Sequence, residues 1–442
     1  MTQDNADNKF RTIQYFVEPK QRGTYFTIPF SMPPDTESFT LRYSYERMRA
    51  KEEAVENGVF RSREKVNTID LGLVRPDGTQ AGASGADKTE VTLSETFATP
   101  GYQPGALMPG EWGILVGVYR VAEPGVNVTY ELSFTPKHRR LLKGDLHMHT
   151  IASDGVLTAA ELAAVAKSQG LDFIAITDHN QMVAHAGLPR VPGLTIIPGV
   201  EWTHYQGHSN FLGLDRAYDE PFFTNTPEEA AKRFASARER GALIIIDHPF
   251  DEGCPFLFDL AQLPFDCYEI WNGPMRESNF RAVGTWHAML VAGKKLPAVG
   301  GSDFHKSELF LYPGGPTNCV YSNSAGEMDI LEAVRKGRGF VSFAPDGPIV
   351  EMYAGDAKLG ESVTFAETQE VRITAGNLAA GDTLQVITAA GVAAQWQVGG
   401  AGELEVKNHM SAPGFTRVQV LRQFIPNTPA IPALVSNPIY FD

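Results

Sequence analysis

The chain has 442 residues, a span that suggests three domains at about 100–200 residues each. Hydrophobic residues make up 43% and charged residues 20%, the balance of a soluble protein with a sizeable core, and no apolar run approaches the roughly 20 residues of a membrane helix. Lys and Arg total 38 against 52 Asp and Glu, a formal net charge of −14 that repels phosphate backbones, so binding of a nucleic-acid polymer is not expected. The start, MTQDNADNKF, lacks the basic and apolar segments of a signal peptide. Cys254, Cys267 and Cys319 are too few and scattered for a disulfide framework, and a cytoplasmic location is expected.

Residues 1–140 read as short β-strands: Tyr25–Phe30, Ser38–Tyr45, Thr68–Val74, Glu90–Ser94, Trp112–Val121 and Asn127–Phe134. Pro- and Gly-rich turns separate them, as in a β-sandwich or jelly roll. The charged stretch Glu46–Lys65 interrupts this pattern and reads as a surface excursion, helical or loop.

The period changes over residues 141–345. Thr158 with Glu161 forms a capping box and Gly170 ends that helix; Thr226-Pro227 opens a second, and Ser278–Ala292 and Ser324–Lys336 fit two more. Between them lie short apolar strands, Phe173–Thr177, Thr195–Val200, Ala242–Ile246, Cys267–Trp271 and Pro297–Val299, the signature of buried parallel strands in a closed or distorted barrel. Residues 346–442 return to β-pattern and read as a small second β-sandwich.

Nine of the 11 histidines fall between His147 and His305, 36% of the chain. Their neighbours explain the clustering. The first strand leads into His147-Met148-His149 with Asp154 in the loop; others end in Asp178-His179, Glu201, Asp247-His248-Pro249 and, through a Gly-Gly turn, Asp303-Phe304-His305. The C-terminal ends of barrel strands open onto one face, so these side chains converge there. In HxH and DxH the side chains i and i+2 of an extended segment point the same way and can reach one ion. His208 starts a strand instead of ending one. Asp178 and Asp247 read as carboxylates that orient neighbouring rings, His204 as an outer contact, and His185 and His287 as bystanders. Nine candidate ligands exceed the four or so that one zinc takes, and suit two or three divalent ions (Zn, Mn or Fe) sharing a bridging Glu201 and holding a hydroxide as nucleophile.

GDLHMHT, ITDHN, GVE, DHP and GSDFH, in this order over residues 141–345, resemble the motifs of the PHP (polymerase and histidinol phosphatase) superfamily. The HTIASDG run and the flanking β-domains look like the branch of small phosphoesterases and carbaryl-type hydrolases. The resemblance implies an α/β fold, a distorted (β/α)7 barrel flanked by two β-sandwich domains, with a trinuclear site. Carried over, His147, His149, Glu201 and Asp303 would hold one metal; Glu201, His208 and His248 a second; Asp154, His179 and His305 the third. The expected activity is that of a metal-dependent phosphoesterase on a small-molecule ester, with Lys306 and Arg276 as phosphate contacts. Two alternatives stay open: a carbamate or carboxylic ester hydrolase of the carbaryl type, with Trp202, Tyr205, Phe250, Phe256 and Trp271 near its pocket, and a non-catalytic metal-binding scaffold.

Overall fold

A computed structural model describes residues 2–4, 9–56 and 59–442. Two compact units span Met1–His138 and Arg139–Asp442.

The first unit contains an antiparallel five-stranded sheet, in the order Thr2–Asp4, Phe10–Val17, Val126–Pro136, Thr36–Ser44 and Glu90–Ser94. A four-stranded sheet runs Tyr25–Met32, Gly110–Arg120, Thr68–Val74 and Gln80–Ser84. Period-two alternation sends Phe39 and Tyr130 from one sheet, and Phe30, Leu71 and Trp112 from the other, into a shared core. The rings of Phe39 and Trp112 meet edge to face across it, 5.8 Å apart. The charged stretch at 46–65 corrects the expectation of a helix or loop: Met48–Glu56 and Val59–Lys65 form an antiparallel pair. Its register sets Arg49 opposite Glu64, so charge favours the pairing that composition alone argued against.

In the second unit β1 (Arg140–Asp145), β2 (Phe173–Ile176), β3 (Thr195–His204), β4 (Gly207–Leu212), β5 (Leu243–Ile246), β6 (Cys267–Asn272), β7 (Ala298–Gly301), β8 (Thr317–Ser322) and β9 (Gly339–Ser342) belong to one sheet, ordered β7-β6-β5-β4-β3-β2-β1-β8-β9. Four helices, α1 (Ala159–Ser168), α2 (Pro227–Glu239), α3 (Glu277–Val291) and α4 (Glu327–Arg335), connect them. Thr158 and Glu161 cap α1 reciprocally, as their spacing predicts. Strands β1–β3 and β5–β7 are parallel within each run, whereas β4 is antiparallel to both β3 and β5. The far edge is tied back to the middle of the sheet: Gly300 N on β7 donates to Asn318 Oδ1 on β8 at 2.9 Å, and Asn318 Nδ2 returns a bond to Gly300 O at 2.6 Å.

One sheet face carries Phe173, Ile197, Leu212, Ile245, Cys267 and Val299 into a common apolar cluster. On the other face Trp202 of β3 packs in a second cluster with Phe234 of α2 and Trp286 of α3. Alternation then decides which polar residues share the inner face near the strand ends: Glu201 follows Ile197 by four, Asp247 follows Ile245 by two, and Glu269 follows Cys267 by two.

The sheet does not stop at residue 345. β9 pairs with Ile431–Ser436, which leads on to Gly414–Arg422, Thr383–Thr388 and Gly391–Gln397. A separate four-stranded sheet holds Ala357–Lys358, Ile349–Ala354, Gln369–Leu378 and Gly402–Met410. Among the described residues no helix is long and apolar enough to cross a membrane.

Candidate metal centre

The ligand-bearing segments continue to bond one another beyond the regular strands. Asp303 N donates to His147 O and His149 N to Phe304 O, both at 2.9 Å, while Thr177 N reaches Met148 O and Asn180 N reaches Glu201 O, again at 2.9 Å. Gly301 makes the β7–β1 approach feasible, since a Cβ there would sit 2.3 Å from the His147 Cβ and 2.5 Å from Glu269 Oε1. Two candidate ligands lie in the left-handed region, His248 at φ 22° and Asp303 at φ 53°, a strain that such sites concentrate.

Glu201 is the hub. Its Oε1 lies 2.8 Å from His208 Nδ1 and 3.2 Å from His248 Nε2; its Oε2 lies 2.8 Å from His179 Nδ1, 3.4 Å from His149 Nε2 and 3.5 Å from His147 Nε2. Asp303 Oδ1 sits 3.0 Å from His149 Nε2 and 3.4 Å from His147 Nε2. On the solvent side Asp154 faces His305 Nε2 at 3.3 Å, His179 Nε2 at 3.7 Å and His149 Nδ1 at 4.0 Å. His208 joins because β4 is antiparallel: its beginning lies at the rim where the parallel strands end.

The loop that carries Asp154 is held by Asp178, which accepts from Thr150 N at 2.7 Å and from the hydroxyls of Thr150 and Ser153, each at 2.8 Å. Asp145 plays the same part at the base of the site, accepting from His147 N, Ser302 N and Gly314 N. Burial raises the Asp145 carboxyl to about 6 against the effect of those donors.

Two inward ring nitrogens, His147 Nε2 and His149 Nδ1, are buried without a hydrogen-bond partner, and Glu201 Oε2, 2.8 Å from His179 Nδ1, makes no hydrogen bond of good geometry. Buried polar atoms are ordinarily paired. Nitrogen and carboxylate donors converging in this way fit divalent cations. Burial opposes charge on Glu201, yet His147, His179 and His208 hold its carboxyl well below the ordinary range. Asp303 behaves alike, with His147, His149 and His248 outweighing burial. Burial lowers His149, whereas in His147 and His248 burial is outweighed by neighbours that include Asp303 and Glu201, and both rings are raised well above the ordinary imidazole range.

All nine candidate ligands therefore meet at one end of the sheet. Arg276 is half-exposed, paired with Asp251 at 2.9 Å, and donates to Asn272 Oδ1 at 2.9 Å; Asn272 Nδ2 in turn reaches Asp303 Oδ2 at 3.3 Å. Lys306 is exposed and paired with Glu308. His204 stacks on Trp202 and closes a turn by accepting from Gln206 N. His185 bridges Asp215 and Glu327, and His287 packs against Phe415.

Sequence reasoning missed Glu269. Its Oε1 is 3.1 Å from His147 Nδ1, and its Oε2 accepts from His248 N at 2.7 Å and Asn272 Nδ2 at 3.2 Å. The available signal was an acidic residue inside the otherwise uncharged strand CYEIWN, where a carboxylate is buried only with partners. Glu269 lies against His147 Nδ1, and the opposite ring nitrogen, Nε2, faces Glu201 and Asp303. Glu269→Gln is expected to weaken metal affinity by about 10–100-fold. A titration of metal-free protein with Zn2+ checks this, and an unchanged affinity would remove Glu269 from the role. Cys254 was also overlooked; its Sγ lies 3.7 Å from His248 Nδ1.

Fold and site together define a mixed α/β protein with a histidine- and carboxylate-rich metal-binding rim. A sequence profile of the PHP domain matches residues 145–246. An uncharacterized protein of Methanocaldococcus jannaschii is 30% identical over 151 residues, 31% of this chain and 85% of that protein. A Shewanella piezotolerans protein named "Probable phosphatase" is 32% identical over 190 residues, 36% of this chain and 77% of its own length. A 5'-3' exoribonuclease of Haemophilus influenzae is 32% identical over 128 residues, 27% of this chain and 44% of the enzyme. Among solved structures, a two-domain Bacteroides vulgatus protein containing a PHP-like metal-dependent phosphoesterase, so described by prediction, overlaps 66% of this chain and 95% of its own at 18% identity, with a TM-score of 0.40. The chain belongs to the PHP domain family.

Proposed function

We propose that the protein is a metal-dependent phosphoesterase that hydrolyses a small-molecule phosphomonoester or phosphodiester at a di- or trinuclear centre. The observation that carries this reading is Glu201, buried and shared by five imidazoles, with unpartnered ligand atoms around it. His147, His149, Glu201 and Asp303 would hold one ion, Glu201, His208 and His248 a second, and Asp154, His179 and His305 a third. Divalent ions bound there supply an activated water at neutral pH and neutralise charge on the phosphoryl oxygens. The chain's own groups do the rest. Glu269 and Asn272 keep His147, His248 and Asp303 oriented, Asp178 holds the Asp154 loop, and Arg276, braced through Nη2 by Asp251 and Asn272, offers a cation to a phosphate near the rim. Lys306, following His305, is a second cation for the same anion. The sheet is read as a distorted (β/α)7 barrel over 141–345, with β-sandwich domains at 1–140 and 346–442.

A second reading draws support from exposed apolar side chains on the loops that carry the ligands. Ile151 and Val156 flank Asp154, Tyr205 tips the β3–β4 turn, and Leu309 and Phe310 follow His305. Such a rim suits a carbamate or carboxylic ester with an apolar leaving group. Trp202 and Trp271 do not contribute to it, because both are buried in the core behind the sheet.

The deciding measurement compares 4-nitrophenyl phosphate, bis(4-nitrophenyl) phosphate, an aryl carbamate and an aryl acetate on Zn2+- or Mn2+-loaded protein. Phosphate ester turnover that chelation abolishes and metal restores is the expected result. Turnover of the carbamate or acetate alone would replace this reading with the second, and no turnover by metal-replete protein would favour a scaffold.

A further inference from the structure

Asp247 has no place in the ligand assignments above. It is fully buried, and neither carboxylate oxygen has a hydrogen-bond partner. Asn210 on β4, 1% exposed, has both side-chain amide atoms unpartnered as well. The two residues are neighbours by register. Asn210 lies opposite Ile245, and Asp247 N donates to His208 O at 3.2 Å, extending the β4–β5 pairing past the end of β5. Leu212 and Ile245 face the inner apolar cluster, and two-residue alternation keeps Asn210 and Asp247 on that face, above the apolar floor and beside His208. From the other side β6 pairs Ile245 with Cys267, which brings Glu269 alongside.

A buried carboxylate needs donors or a cation. Of the nearby donors, His248 N and Asn272 Nδ2 bond to Glu269, His147 Nδ1 lies 3.1 Å from the same carboxylate, and the Asn210 amide makes no bond to Asp247. Glu269 and Glu201 add negative charge to the chamber and cannot compensate Asp247. We infer that Asp247 is a further carboxylate of the metal centre, directed from the floor of the site at the ion that His208, His248 and Glu201 would hold, with Asn210 lining the same polar chamber. The inference rests on the metal-centre reading and deepens it, because a tenth polar group that needs a cation raises the site's preference for full occupancy.

The test uses full-length wild type and Asp247→Asn, loaded with Zn2+ or Mn2+ alone. Bound metal is counted by elemental analysis after equilibrium dialysis, affinity is read by competition with a chromophoric chelator, and the Tm of the metal-free form is recorded. The expected result for Asp247→Asn is the loss of one ion per chain, or weakening of that ion's binding by about 10–100-fold, with the metal-free Tm unchanged or raised. Wild-type stoichiometry and affinity in the variant would overturn the inference, and so would a lowered metal-free Tm with metal binding intact, the mark of a purely structural carboxylate. If Asp247→Asn fails to fold, Asp247→Ala, which leaves room for water, is measured with the same expectation. Wild type that binds neither ion would instead overturn the metal-centre reading itself.

Discussion

Glu201→Gln is expected to abolish hydrolysis, lowering kcat on 4-nitrophenyl phosphate by about a thousandfold or more, and to strip metal from the protein. Both oxygens of Glu201 are committed, Oε1 to His208 and His248 and Oε2 to His147, His149 and His179, so no other group stands between all five rings. An amide keeps the shape but loses the charge and one of the two acceptors, and it cannot bridge two cations. Metal-ion catalysis contributes several kcal/mol of transition-state stabilisation. At about 1.4 kcal/mol per factor of ten, losing roughly 4 kcal/mol gives the thousandfold figure. Stopped-assay kinetics together with elemental analysis checks both halves. A variant that kept its full metal complement and turned over within tenfold of wild type would mean that Glu201 is not the bridge.

The second large effect is expected at Asp178, whose carboxylate bonds to Thr150 and Ser153 and to none of the nine candidate ligands. Asp178→Ala removes the acceptor of three bonds, from Thr150 N, Thr150 Oγ1 and Ser153 Oγ, with Asp178 and Thr150 themselves buried. Hydrogen bonds to a charged group contribute about 1.5–3 kcal/mol each, and because these three act on one loop their loss is not additive. A net destabilisation of about 3 kcal/mol is expected, read as a lower urea midpoint at unchanged slope. The same substitution releases the loop that aims Asp154 at His179 and His305. One ion on the exposed side of the centre should therefore be lost while the ions assigned to Glu201 remain. An unshifted midpoint, or full metal occupancy in the variant, would show that the loop holds its place without Asp178.

Much of this site was legible because its chemistry is local in sequence. HxH, DH, DHP and DxH each put a donor at the end of an apolar run, and apolar runs of four to six residues between capped helices announce where parallel strands end. The capping box at Thr158 and the helices at Glu277–Val291 and Glu327–Arg335 follow from periodicity of the same kind. What stayed hidden depends on partners distant in the chain. Glu269 lies in mid-strand, where only the approach of His147, 122 positions away, gives its charge a purpose. The hairpin at Met48–Glu56 and Val59–Lys65 looked too polar for β-structure, because backbone pairing and cross-strand charge are invisible to a hydrophobicity pattern.

The division of labour between sequence and fold is sharpest at His208 and at residue 345. Residue types and spacing suffice to name a set of candidate ligands, the metal chemistry it would suit and the helices that frame it, because strand alternation and helix capping operate over two to four residues. That His208 belongs with the strand-end ligands follows from the antiparallel insertion of β4, which puts the start of one strand at the rim where its neighbours end. That the sheet runs on from β9 into Ile431–Ser436 depends on pairing between segments nearly a hundred residues apart along the chain, and no local pattern encodes a partner at that distance. The bonds between Gly300 and Asn318 span only 18 residues, yet they too arise from the tertiary structure, which holds β7 against β8 while Asp303 reaches the imidazoles of His147 and His149.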